Sequence, residues 1–133
     1  MSTKIVCFDF DGVIHPYKNG FQGIGKTPNP PIIESVEAIR RLRRRGYKVI
    51  VVSSRCTVPI GMRAVKRYLK ENHIDVDDVT GEKLDSDVYI DDRAICYKPG
   101  MNLYMEIKHF MPWWKDDVEE IDDEEIDDTE SMI

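Results

Sequence analysis

Two aspartates, Asp9 and Asp11, stand two positions apart directly after the apolar run IVCF at positions 5–8. In a strand, residues i and i+2 point to the same side, so we expect the two carboxylates to converge beyond the strand end. Like charges at that distance repel unless a cation lies between them, and carboxylate ligands suit Mg²⁺. The pattern therefore predicts a metal site in which one acid attacks an electrophile and the other transfers a proton.

Three further polar groups lie next to predicted strands. Ser53, Ser54 and Arg55 follow the run VIVV, Asp91 and Asp92 follow VYI, and Lys83 precedes that last strand. A lone DxD pair is also common as a turn with solvated acids, and a lone lysine is usually an ordinary surface residue. The order of all four groups along the chain favours a functional interpretation.

The elements that must position these residues follow from hydrophobic periodicity. Strands are predicted over 4–10, 47–52, 74–79 and 87–90, and helices over 31–45, 59–72 and 103–110. Prolines and glycines break the pattern at 15–31, which predicts a long loop. Alternating strands and helices predict an α/β fold with a mostly parallel sheet and helices on both faces. Ligands then bind beyond the carboxyl ends of the strands, where the polar groups lie.

The motifs FDFDGV (8–13), VIVVSSR (49–55), TGEKLDSD (80–87) and VYIDDRA (88–94) together resemble those of the haloacid dehalogenase-like (HAD) superfamily, in its phosphatase branch. The resemblance covers positions 4–114 and implies a Rossmann-like HAD fold. Larger members of this family carry an inserted cap domain. Only 15–31 and a short segment after the second helix are available here, so we expect no cap domain, with 15–31 as a small flap over an open site.

The resemblance also implies a role for each motif residue. Asp9 is similar to the nucleophile that forms an aspartyl phosphate, and Asp11 to the general acid and base whose backbone carbonyl also contacts Mg²⁺. The other implied roles are phosphate binding for Ser53, Ser54 and Lys83, with Ser53 the stronger claimant of the two serines, and metal binding for Asp91 and Asp92.

Four further interpretations concern residues in or directly after the motifs. Arg55 lies near the expected phosphate and is a candidate to bind it. Asp92 either binds the metal or orients Asp91. Arg93 either contacts substrate or forms a local ion pair, which we expect. His15 either contacts substrate or is a loop histidine without a catalytic role, which we expect. In addition, positions 112–114 (PWW) are predicted to pack back on the body as a closing anchor.

Charge and composition divide the 133 residues into two parts. Positions 116–133 contain 11 acidic residues and no basic ones, which leaves 14 acids against 19 bases, a net charge of +5, in positions 1–115. We expect a hydrolase domain over 1–115 and a disordered acidic tail over 116–133. No signal peptide or apolar membrane-length run is visible, and the three cysteines lack metal-type spacing, so we expect a cytoplasmic protein with reduced thiols and no membrane partner.

The resemblance, together with the motif residues, implies a Mg²⁺-dependent phosphomonoester hydrolase acting through an aspartyl phosphate. The basic body and open site make a nucleic-acid-end (polynucleotide) phosphatase the first alternative, with nucleic acid as a partner. A non-catalytic phosphate-binding or adaptor domain is an alternative of another class, which the presence of Asp11 argues against. In a phospho-acceptor signalling domain the acid pair and the phosphorylated aspartate lie on different strands, so the motif order argues against that class too.

Overall fold

The chain alternates strands and helices over residues 3–115, the part that this computed structural model describes. The strands are β1 (Ile5–Asp9), β2 (Lys48–Val52), β3 (Asp78–Thr80) and β4 (Val88–Ile90); the helices are α1 (Ile33–Arg44), α2 (Pro59–Glu71) and α3 (Leu103–Lys108). A 3-10 turn, Ser54–Thr57, precedes α2. The sheet has the order β3-β2-β1-β4, and every neighbouring pair is parallel. The α/β class with a parallel sheet is therefore confirmed, while the predicted tail lies outside the described residues.

Both long helices pack on the same face of the sheet. Alternate residues of β1 and β2 form one buried cluster with apolar residues of α1 and α2: Val6, Phe8, Val49, Val51, Val36, Ile39, Val65 and Leu69. This face follows from the period-two alternation of the strands and the apolar stripes of the helices. Over residues 3–115, α3 is the remaining helix, and none of its residues is buried. Helices were predicted on both faces of the sheet. In the described residues, the two long helices cover one face.

Several element boundaries differ from the predicted ones for local reasons. Helix α1 begins at Ile33 instead of position 31, because Ile32 is extended and donates its N–H to the Ile14 carbonyl (2.9 Å). Gly46, with φ of +87°, ends this helix as its position in the sequence predicts. Strand β3 begins at position 78, because the Asp77 carboxylate accepts a hydrogen bond from the Val49 N–H (2.8 Å) just before the strand.

The long loop after β1 is held against the body at several points. Within the described chain, the connection 10–32 contains no helix and no strand beyond one bridge between Asp11 and His15. Tyr68 of α2 donates its hydroxyl hydrogen to the Asn29 carbonyl (3.0 Å), which ties the loop to the core. No inserted domain lies between the motifs in residues 3–115. Among these residues, none of the helices has the length and hydrophobicity of a membrane span.

The closing segment packs on the first motif as predicted. Pro112 is buried, and the Trp113 indole donates its N–H to the Gly12 carbonyl (2.6 Å). The Lys115 N–H in turn donates to the Pro112 carbonyl (3.1 Å), so the segment forms a turn. The last described residues therefore lie beside the motif that follows β1.

Candidate active site

The carboxyl ends of three neighbouring strands carry predicted site residues. Asp9 is the last residue of β1, Ser53 directly follows β2, and Asp91 directly follows β4. Strand β1 lies between β2 and β4 and pairs with both in parallel. Because the three strands run in the same direction, the residues that follow them meet at one edge of the sheet. The fold therefore places Asp9 between Ser53 and Asp91.

An open cleft of about 640 Å³ lies at this edge. It is lined by Asp9, Val52, Ser53, Ser54, Lys83, Tyr89, Ile90, Asp91, Arg93 and Ala94. Residues from all four motifs thus share one cleft. Lys83 Nζ lies 5.2 Å from the centroid of the Tyr89 ring. The exposed Arg93 side chain makes no ion pair with the described residues, in contrast to the local pair that we predicted.

Three carboxylates form a tight acidic group at the cleft. Asp9, Asp91 and Asp92 each offer an oxygen, and these oxygens lie within 4.8 Å of one another. Asp92 Oδ1 is buried and has no hydrogen-bond donor among the described residues. An ionised carboxylate oxygen without a donor needs either a shared proton or a cation. An all-oxygen donor set of this kind fits a hard divalent ion such as Mg²⁺.

The proximity of the three carboxylates changes the pKa of Asp9. Burial, a hydrogen bond with Asp92 and the charge of Asp91 together raise the pKa of Asp9 from 3.8 to about 8. The Phe10 N–H donates to Asp9 Oδ1 (2.9 Å) and opposes part of this shift while fixing the orientation of the carboxylate. Without a cation, the crowding therefore favours the protonated form of Asp9 up to a higher pH than in an isolated aspartate.

This raised pKa predicts how the stability of the metal-free protein depends on pH. A raised folded-state pKa gives stability that is fully present below the unfolded value and is lost as pH rises through the folded value. For Asp9 the loss runs from about pH 4 to about pH 8. Thermal melts in chelator should show Asp9→Asn gaining stability relative to the unsubstituted protein over this range. Added Mg²⁺ at pH 8 should stabilise the unsubstituted protein more than the variant. A difference in melting temperature that does not change with pH would contradict the crowded acid group.

Asp11 does not join the three clustered acids, in contrast to the expectation that both carboxylates of the DxD pair converge. The chain turns directly after β1, where the N–H groups of residues 13–15 all point at the Phe10 carbonyl, at 3.3, 2.9 and 2.9 Å. The i, i+2 rule holds only in extended backbone, so the turn sends Asp11 elsewhere. Its side chain faces a small adjoining cavity of about 100 Å³, which Asp92 also lines.

Arg55 is the ion-pair partner of Asp11. Its Nε donates to Asp11 Oδ2 (2.7 Å) and its Nη2 to Asp11 Oδ1 (3.0 Å), a two-point ion pair. Its Nη1 donates to the carbonyls of Gly23, Ile24 and Lys26 in the long loop, at 3.0, 2.9 and 2.8 Å. The side chain is only 3% exposed. All three guanidinium nitrogens thus have protein partners, and phosphate binding by Arg55 stays a prediction.

His15, for which we favoured an inert place in the loop, is a direct neighbour of Asp11 in the structure. It is buried, its Nδ1 lies 2.9 Å from Asp11 Oδ1, and its Nε2 lies 2.5 Å from the Pro28 carbonyl. A carbonyl only accepts, so Nε2 carries a hydrogen, and one further proton lies between Nδ1 and Asp11. The local sequence carries no signal for this burial, because it depends on the Pro28 carbonyl 13 positions away.

These partners set the acidity of Asp11. Burial alone raises the pKa of Asp11, but the hydrogen bonds from His15 and Arg55 and the charge of Arg55 outweigh it. The net pKa of Asp11 therefore lies below its ordinary value, opposite in direction to that of Asp9. In the metal-free protein the pKa values of these two carboxylates, two positions apart, are therefore shifted in opposite directions.

Comparison with known proteins gives one distant structural similarity. No protein-family model matches the chain, and no curated protein matches it. One chain of a solved structure, described as "Structure of Pnkp1/Rnl/Hen1 complex", aligns with a TM-score of 0.48 and 16% sequence identity. The alignment covers 80% of the present chain and 34% of that chain, so the present chain spans about a third of its length.

Proposed function

We propose that this chain is a Mg²⁺-dependent phosphomonoester hydrolase of the HAD type that forms a covalent phosphoryl group on Asp9. The observation that carries the proposal is the cleft that Asp9 shares with Ser53, Lys83 and the acid Asp91. An anionic nucleophile approaches an anionic phosphate only where cationic and hydrogen-bonding groups offset the repulsion. This cleft contains the Lys83 ammonium group, the Ser53 and Ser54 hydroxyls, and acids that fit a cation.

Asp9, Asp91 and Asp92 would hold the ion, and the backbone carbonyl of Asp11 is a further candidate ligand by resemblance. When bound, Mg²⁺ supplies positive charge next to the phosphoryl oxygens and offsets the repulsion among the acids. Ser53 and Ser54 donate hydrogen bonds to the phosphoryl group, and Lys83 offsets its remaining charge. The protein side chains thus orient the phosphate in line with the Asp9 carboxylate.

In the first step an Asp9 oxygen attacks phosphorus, and the bond from phosphorus to the leaving oxygen breaks. The leaving oxygen takes a proton from Asp11, which shares one with His15 Nδ1 across 2.9 Å. In the second step water attacks the aspartyl phosphate and gives a proton back to Asp11. Free phosphate leaves, and the Asp9 carboxylate is regenerated. Splitting the hydrolysis in this way replaces one difficult displacement with two easier ones.

Phosphorylated ends of nucleic acids are the second candidate substrate class. The specific observation is the open cleft, with exposed Lys83 and Arg93 on its wall and no inserted domain above it in residues 3–115. A net charge of +5 over positions 1–115 favours a polyanionic substrate. A small ester needs no such surface, so the two classes differ in their expected response to salt.

The experiment measures the release of phosphate from a panel of esters, once with Mg²⁺ and once with chelator. The panel contains p-nitrophenyl phosphate, nucleoside monophosphates, and oligonucleotides carrying a 5′- or a 3′-phosphate. We expect Mg²⁺-dependent release, and borohydride reduction during turnover should convert Asp9 to homoserine. A preference for oligonucleotides that weakens with added salt supports the second class. Release that continues in chelator, or no release from any ester, would overturn the proposal.

A further inference from the structure

One carboxylate of the acidic group is held by a neutral donor from the far end of the described chain. The Trp114 indole donates its Nε1 hydrogen to Asp92 Oδ2 at 2.5 Å. The Tyr17 ring meets the Trp114 ring edge-on, with centroids 4.8 Å apart. The indole is therefore fixed from one side by an aromatic contact and on the other by the acid.

The packing around this contact leaves no room for a side chain at position 12. Gly12 has φ of +84°, and a Cβ at this position would lie 2.1 Å from Asp92 Oδ2 and 3.0 Å from Trp114 Nε1. Glycine is thus required both by the backbone and by the close approach of the pair. Since Oδ2 accepts the indole hydrogen, Oδ1 is the Asp92 oxygen that stays buried without a donor.

We propose that Trp114 is a positioning residue for the metal site, an inference that rests on the proposed function above. Its N–H fixes the Asp92 carboxylate so that Oδ1 is available to the cation beside Asp9. An indole N–H has no net charge, so it orients the carboxylate without neutralising the charge that attracts the ion. An arginine or lysine at this place would compensate Asp92 and compete with the cation. Ligand-orienting partners of this kind typically contribute about 10–100-fold in metal affinity.

The test compares Trp114→Phe with Trp113→Phe as the matched control in the full chain. Both changes remove one indole hydrogen bond from the same segment, but only the Trp114 indole hydrogen-bonds to an acid of the group. Calorimetric titration with Mg²⁺, and with Mn²⁺ as a tighter-binding probe, measures the dissociation constant directly. We expect an increase of about 10–100-fold for Trp114→Phe and less than about threefold for Trp113→Phe. Excess Mg²⁺ should restore most of the lost turnover, which separates weaker binding from a damaged site.

A second variant covers the case in which Trp114→Phe loosens the segment. Cys96 is exposed and free, so a peptide 96–133 can be ligated to a thioester of 1–95 without changing the sequence. Benzothienylalanine at position 114 keeps the ring shape but replaces the N–H with sulfur. It should reproduce the loss of affinity. If the unsubstituted protein binds no Mg²⁺, the proposed function fails; if it binds Mg²⁺ and both variants bind equally well, only the role of Trp114 is overturned.

Discussion

Asp9→Asn is expected to reduce phosphomonoester turnover by on the order of 10⁴-fold or more while the chain still folds. The substitution removes the attacking oxygen, and an amide cannot form the covalent intermediate. It also removes one of the three acids of the metal group, so Mg²⁺ affinity should fall. Single-turnover rates at saturating Mg²⁺ separate the two losses, because only the chemical loss persists there.

Asp75→Asn is the matched control for this experiment. It removes the same unit of negative charge from an exposed position that lines none of the cavities at the catalytic edge. Its turnover and Mg²⁺ affinity should equal those of the unsubstituted protein. Asp9→Asn turnover within about tenfold of the unsubstituted protein, a change of only about 1.4 kcal/mol in the barrier, would remove Asp9 as the nucleophile.

The second large effect is expected at Arg55, and it concerns stability more than substrate binding. Arg55→Met keeps the length of the side chain but leaves the Asp11 carboxylate without its two-point partner and three loop carbonyls without their donor. Removing one member of a buried ion pair typically costs about 3–5 kcal/mol. Denaturant unfolding should show a loss of this size in the free energy of unfolding. Turnover should also fall, because Asp11, the proposed proton carrier, is no longer positioned.

A double-mutant cycle identifies the cause. If the cost comes from the uncompensated Asp11 charge, adding Asp11→Asn to Arg55→Met should destabilise by less than the sum of the single changes, with a coupling of about 0.5–3 kcal/mol. Arg93→Met is the control, since that exposed side chain forms no ion pair with residues 3–115 and should change stability by less than about 0.5 kcal/mol. Unchanged stability of Arg55→Met with a raised KM would instead make Arg55 a phosphate ligand.

The sequence predicted those parts of the molecule that local patterns determine. Apolar runs placed β1 and β2, Gly46 ended α1, and the polar residues after each strand were brought to one cleft, because parallel strands require it. Each of these predictions needs only a period, a cap or the direction of a strand. The same rules failed at Ile32, where a tertiary hydrogen bond to the Ile14 carbonyl keeps the residue extended and delays the helix.

What the sequence did not predict depends on contacts between distant positions. The direction of the Asp11 side chain is set by the turn around Phe10 and by Arg55, which is 44 positions away. The burial of His15 depends on the Pro28 carbonyl and on the loop that Arg55 holds. No spacing rule connects these residues, because each contact exists only after the loop has folded over the sheet.

The closing segment at positions 112–114 gives this protein an intrinsic fluorescence signal. The chain contains two tryptophans, and both lie at the first motif: Trp113 on the Gly12 carbonyl and Trp114 on the Asp92 carboxylate. Intrinsic fluorescence excited at the red edge of tryptophan absorption therefore originates entirely from indoles hydrogen-bonded to Gly12 and Asp92. Carboxylates and cations change indole emission through their electric field. Occupancy of the acid group can thus be followed in stopped-flow experiments on the unlabelled protein.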